Sequence, residues 1–172
     1  MQRCGRSSSD EVSVKACTMP NVGAIGSLLE MLLGRTVTVT PSDVDVRSLP
    51  YAGTYVARDD SLGAVALCDR AFVCWMGSAL SLVPPTSACE ALKSGELSPL
   101  MLENGQEVLN IAASLISQDG YHLRFHDLLE PSSPSWQEVQ RFVDAAKERV
   151  GVDVAVSGYG DGVFALFAGS RT

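Results

Sequence analysis

The chain has 172 residues, 46% of them hydrophobic and 19% charged. That is long enough and apolar enough to bury a core of its own, which excludes a disordered chain. A formal net charge of −7, with no basic run anywhere, argues against a nucleic-acid binder, because phosphate backbones reward clustered Lys and Arg. A basic surface on another protein is the better-matched partner.

The five cysteines (Cys4, Cys17, Cys68, Cys74, Cys89) are odd in number, form no Cys-x-x-Cys pair, and lie mostly in apolar contexts. A reducing compartment follows, and a disulfide framework does not. Residues 1–18 read as a polar tail in which 12–14 could pair as a short edge strand, and they contain no apolar core of a signal peptide. The longest apolar run, 71–83, is shorter than the roughly 20 residues of a membrane span. The expectation is a cytoplasmic protein with a single domain over 19–172 and no membrane contact.

Pro20 suits the first turn of a helix and Gly34 its end, with Val22, Ile25, Leu28, Leu29, Leu32 and Leu33 at helical spacing between them. Residues 35–40 alternate as a half-buried strand, and 41–50 form a polar connection. Strands at 51–58 and 62–68 flank the turn chemistry of Asp59, Asp60 and Ser61. Residues 71–82 are apolar nearly all round, so they form either a buried helix or one at a subunit contact, and Pro84 and Pro85 stop it. A short helix at 87–93 follows. Ser98 then serves as N-cap and Pro99 as first residue of a long helix that ends near Ser117. A strand at 121–128 and a proline-bounded loop lead to a helix at 136–150, with Ser135 and Glu138 as its capping box and Gly151 as its stop. A hairpin of 152–157 and 162–168 closes the chain across Gly158 to Gly162. The order predicts an α+β fold with a largely antiparallel sheet and two similar halves, each a helix leading into three strands.

The long helix carries the most informative pattern. At about 100° per residue, Glu103, Gln106, Glu107, Asn110, Ser114 and Ser117 share one narrow arc. Met101, Gly105, Val108, Leu109, Ala112, Leu115 and Ile116 fill the opposite side. Such a helix presents a polar row rigidly, as a docking or water-positioning surface needs and as any solvated helix also does. Glu107 and Asn110 lie about one turn apart on the same face.

Residues 100–116 resemble the signature helix of the CheC/CheX/FliY family of chemotaxis phosphatases. The family pattern is Asp or Ser, three residues, Glu, two residues, Asn, then a proline about one strand and loop later. Glu107 and Asn110 match the Glu and Asn. Residues 28–34 resemble the first helix of CheX-type members, and 63–67 their glycine-led central strand, so the likeness spans roughly 19–130. Glu103 stands where Asp or Ser is usual, Pro134 falls one residue late, and the helix at 136–150 is an addition. Glu30 is followed by Leu33 instead of Asn, so a second site is missing, as in CheX-like members. The resemblance implies a CheX/CheC-like fold with long helices packed on the sheet and pseudo-two-fold halves. It also implies a partner: the phosphorylated receiver domain of a response regulator, which brings its own Mg2+ and lysine. In that case Asn110 would position the attacking water, Glu107 would pair with the receiver's lysine, and Glu103, Gln106 and Ser114 would help dock, with no cofactor or metal of the chain's own. Phosphoryl transfer asks mainly for positioning, so one inserted amide suffices.

Two alternatives stay open: a non-catalytic relative that binds its partner through the same face, and a dimeric scaffold joined through 71–82. His122, Arg124 and His126 alternate onto one strand face beside Asp127, but an arginine between two histidines repels a cation, so a solvent-facing strand is expected there. No Gly-x-Ser-x-Gly occurs, and no histidine lies near a cysteine in sequence, so nucleophilic hydrolysis has no support. The run Gly158-x-Gly160-x-Gly162 reads as a hairpin turn.

Overall fold

Among the described residues six strands build one antiparallel sheet whose order reads alike from either edge. They are β1 (Val37–Pro41), β2 (Tyr51–Val56), β3 (Leu62–Cys68), β4 (Arg124–Leu129), β5 (Glu148–Val156) and β6 (Gly160–Ala168), arranged β1-β5-β6-β3-β2-β4. If β1, β2 and β3 are exchanged with β4, β5 and β6, the order maps onto its own reverse. The pseudo-two-fold axis therefore runs between β3 and β6, where Ala66 faces Leu166 and Cys68 faces Phe164. The computed structural model describes residues 19–117 and 122–169. The expectations for the 1–18 tail and for a strand beginning at Tyr121 fall outside them.

Both faces of the sheet centre are covered, so β3 reads as a continuous apolar run and not an alternating one. Ala64, Ala66 and Cys68 point into the main core beneath the helices, while Val65 and Leu67 point to the other side. The main core lies under α1 (Val22–Leu33), α2 (Arg70–Leu80) and α4 (Pro99–Ala112), with α3 (Pro85–Ser94) leaning on α2. On the second face, a 3₁₀ turn at Val46–Ser48 and α5 (Trp136–Ala145) occupy equivalent places in the two halves, between the first and second strand of each. Val46, Leu49, Val139 and Val143 are buried there against β3 and β6.

Several local expectations give way to tertiary contacts. Asn21, not the first-turn proline, opens α1: its Oδ1 accepts from Ala24 N at 2.8 Å, and Pro20 stays outside. Gly34 ends the helix in the left-handed region, φ 63°, as expected. Pro84 and Pro85 do not merely stop α2. Pro85 begins α3, its fixed φ suiting a first helical residue whose missing N–H costs nothing. The connection at 41–50 is not simply polar, because it buries Val46 and Leu49.

The largest correction concerns 136–150. The helix ends at Ala145, and Glu148 to Val156 pair along β6 without a break. Gly151 is a strand residue, not a stop; a Cβ there would lie 3.2 Å from Val46 Cγ1. Ser135 makes no side-chain cap bond, so the capping box is not formed. The hairpin turn at 157–159, with Gly158 at φ 83°, is as read from its glycines.

Helix α2 is core. Phe72 to Ala79 are all buried within the chain itself, so that part of the apolar run is accounted for without a subunit contact, while Leu82 at its end is exposed. Its N-cap, Asp69, accepts from Phe72 N at 2.7 Å, and burial, with Asp153 nearby, holds its carboxyl above the usual carboxylate range. Burial likewise pushes the Cys68 and Cys74 thiols up, which leaves them inert.

Candidate functional site on helix α4

Ser98 starts α4 by accepting from Met101 N at 3.3 Å, with Pro99 in the first turn. Met101, Gly105, Val108, Leu109 and Ala112 are buried beneath. The crossing with α2 is made by two glycines. A Cβ on Gly77 would lie 2.0 Å from Met101 O, and one on Gly105 would lie 2.8 Å from Val73 Cγ1. The two backbones touch, which fixes α4 in height and rotation. A second clamp sits one turn on. At the helix end Ala113 N turns to Asn110 O and Ile111 O, and the Leu109 carbonyl is taken by the hydroxyl of Tyr55, 2.8 Å away and fully buried. Burial holds the Tyr55 phenol far above its ordinary range, so it remains a donor at any working pH.

On this support the polar row faces outward. Glu103, Glu107, Asn110 and Ser114 are exposed and Gln106 is half-buried. Asn110 Nδ2 donates to Glu107 Oε2 at 3.3 Å, which leaves Oδ1 without a donor among the described residues. Ser114 turns its hydroxyl back onto Ile111 O at 2.8 Å. So Glu107 and Asn110 are brought together, Glu103 flanks them, and Ser114 contributes acceptor capacity alone. No basic residue lies on α4, so the face is uniformly acidic and suits a cation on a partner. Leu100, 48% exposed, lies on the same arc as Glu107, seven residues away. Sequence reading passed over it because apolar residues are assigned to the inner face, although its helical angle was the available signal.

Elsewhere, β4 carries a bulge. Thr54 pairs with Asp127 and Tyr55 with Phe125, leaving His126 between them unpaired. His122, Arg124 and His126 are exposed, and Arg124 forms an ion pair with Asp60. Among the described residues no group of three His, Cys, Asp or Glu side chains is placed to hold a metal, and no helix is long and apolar enough to cross a membrane. A cleft of about 160 Å³ between β2, β4 and α5 is lined by Thr54, His126, Asp127 and Glu138, on the sheet face opposite α4. The α4 row itself is an open helix face, a shape that fits a macromolecule better than a small ligand.

No family model and no curated protein matches the chain by sequence. Its structure does match solved ones. The FliM middle domain of Vibrio alginolyticus is similar with TM-score 0.53 and 13% identity, over 85% of this chain and 86% of that one. The FliM middle domain of H. pylori matches with TM-score 0.50 and 10% identity, over 86% and 84%. A chain of the CheX–CheY–BeF3–Mg complex of Borrelia burgdorferi matches with TM-score 0.46 and 11% identity, over 84% and 92%. The two FliM likenesses, at these low identities, show the fold alone: it is α+β with a six-stranded antiparallel sheet, like that of the FliM middle domains.

Proposed function

We propose that this domain works in chemotaxis or flagellar signalling by engaging a phosphorylated receiver domain through α4, and that it hydrolyses the receiver's aspartyl phosphate. The observation that carries the reading is the exposed Glu107–Asn110 pair on a helix clamped from below by the Gly77–Gly105 crossing and the Tyr55 hydroxyl. The receiver supplies the acyl phosphate, its Mg2+ and a lysine. Glu107 exchanges its contact with Asn110 for that lysine, and the released amide holds a water through Oδ1 on the line of attack at phosphorus. Oxygen of the water bonds to phosphorus as the bond to the aspartyl oxygen breaks, giving phosphate and a free carboxylate. Positioning of this kind supplies a large part of a phosphoryl-transfer barrier without any nucleophile on the enzyme. Leu100 and Glu103 sit beside the pair as docking contacts, with Gln106 at the edge.

A second reading, a binding module without hydrolysis, is favoured by one observation. Asn110 is already engaged by Glu107, so the two can act as a single acidic patch. One experiment separates the readings. A chemotaxis receiver domain charged with acetyl phosphate and Mg2+ is mixed with the protein, and the lifetime of its phosphoryl group is followed. Hydrolysis shortens that lifetime, and Asn110→Ala restores it to the receiver's own value while the melting temperature stays put. Binding with an unchanged lifetime favours the module, and absence of binding removes both.

A further inference from the structure

We propose that the corner built from Arg35, Tyr159 and Leu82 is a docking point for a protein segment carrying a carboxylate beside apolar side chains. It does not rest on the receiver reading, and its charge preference is opposite to that of α4.

The cation comes first. Gly34 turns the chain out of α1 and delivers Arg35 onto the β5–β6 hairpin, where its guanidinium lies over the Tyr159 ring, 4.9 Å from the centroid. One of its nitrogens reaches Ser157 O at 3.4 Å, a long contact. Its Nε is buried and has no acceptor, and among the described residues no carboxylate pairs with it. In a chain with 20 Asp and Glu against 13 Lys and Arg, a half-buried arginine left without an ion-pair partner among those residues stands out. A guanidinium held flat by an aromatic face keeps its planar fork oriented toward a carboxylate.

The apolar element is organised by the same tyrosine. Tyr159 donates its hydroxyl to Val83 O at 2.8 Å, and Val83 N donates to Ser78 O at 2.9 Å. Pinned between them, Leu82 sits at φ 57° with 73% of its surface exposed. The left-handed region disfavours leucine, and Gly or Asn would normally stand here. Trp75 stiffens the corner from behind. Its ring meets Tyr159 edge-on at 6.3 Å, its Nε1 donates to Asp161 O at 3.1 Å, and it fills the space a Cβ on Gly160 would need. A rigidly displayed leucine in a disfavoured conformation contributes little to this fold, so its use lies outside it. The occupant is set by complementarity: an anion for the fork and an apolar neighbour for the leucine.

The test titrates the full chain with a short peptide rich in Glu and Leu, with its Gln-for-Glu and Lys-for-Glu counterparts as controls, and follows the backbone amide signals. The acidic peptide should give saturable shifts centred on Arg35, Leu82, Val83 and Tyr159, with the Gln and Lys forms weaker by about tenfold or more. Arg35→Gln should weaken binding to a similar degree. Leu82→Asn should do so while the melting temperature holds or rises, because Asn accepts the left-handed conformation; that combination separates docking from folding. The proposal is overturned if the Lys peptide binds as well as the acidic one, if Leu82→Asn binds like the parent, or if no shift appears at millimolar peptide. Concentration-dependent shifts at the same residues without peptide would overturn it too, since the occupant would then be a second copy of the chain.

Discussion

Helices α1 and α4 hold equivalent places in the two halves, and each carries a glutamate with a test position three residues on. In α1 the pair is Glu30 and Leu33, and the fold uses both, although Glu30 remains exposed. Glu30 accepts from Val37 N at 3.1 Å, tying the helix to the first residue of β1, and Leu33 is buried. In α4 the pair is Glu107 and Asn110, and both stay at the surface, touching each other. The clamps differ as well. Helix α4 is locked by backbone contact with α2, whereas Gly26 of α1 merely faces the Val39 side chain at 3.4 Å. One arrangement thus serves folding in one half and stays at the surface in the other, and the surface copy is the one whose helix is in backbone contact with its neighbour.

The contrast can be broken most severely at the helix crossing. Gly77→Ala should cost about 3 kcal/mol or more, because the new methyl meets a carbonyl that only backbone movement can clear. Gly26→Ala in α1 should be neutral or gain up to about 1 kcal/mol from helix propensity and a less flexible unfolded chain. Denaturant melts of the two variants measure this directly, and equal losses would refute the difference in clamping.

Tyr55→Phe is the next largest. It leaves the buried Leu109 carbonyl without its donor and should cost about 1–2 kcal/mol. Hydrogen exchange should show the loss first at the C-terminal turn of α4. The glutamates themselves come third. Glu30→Ala should destabilise by about 1 kcal/mol through the lost Val37 contact. Glu107→Ala should change stability by under about 0.5 kcal/mol, its effect appearing in partner binding instead.

The smallest effect is a pH dependence beneath α2. Burial raises the carboxyl pKa of Asp69 in the fold, so the native state holds that proton more tightly than the unfolded chain. Stability from this group is therefore greatest at low pH and declines as pH rises through the window between its unfolded and folded values. Asp69→Asn keeps a capping oxygen for Phe72 N and removes the charge. A slightly higher melting temperature at pH 7 is expected, the gain fading as the pH is lowered through that window.

What could be read from sequence follows the range of the interactions. The stripes of α1 and α4, the Ser98–Pro99 start and the buried character of α2 depend on spacing within a few turns, and they appear where periodicity places them. The α4 row was legible for the same reason. The span 136–150 was misread because its apolar residues recur at helical spacing up to Val150, whereas the strand at Glu148 exists through pairing with β6, which no local pattern encodes. The bulge at His126 escaped because alternation assumes an unbroken ladder. The Arg35–Tyr159 contact joins residues far apart in sequence, and cation–aromatic stacking leaves no spacing signature.

The palindromic strand order has a consequence for how the molecule comes into being. The opening strand of each half, β1 or β4, finds its hydrogen-bonded neighbour in the opposite half: β1 lies beside β5 and β4 beside β2. Neither half can close its own edge, so each is an incomplete template until the other emerges. A chain severed in the segment between α3 and α4 should yield two fragments that stay largely unstructured apart and assemble when mixed. Synthesis on the ribosome would delay completion of this six-stranded sheet until β6 had been made.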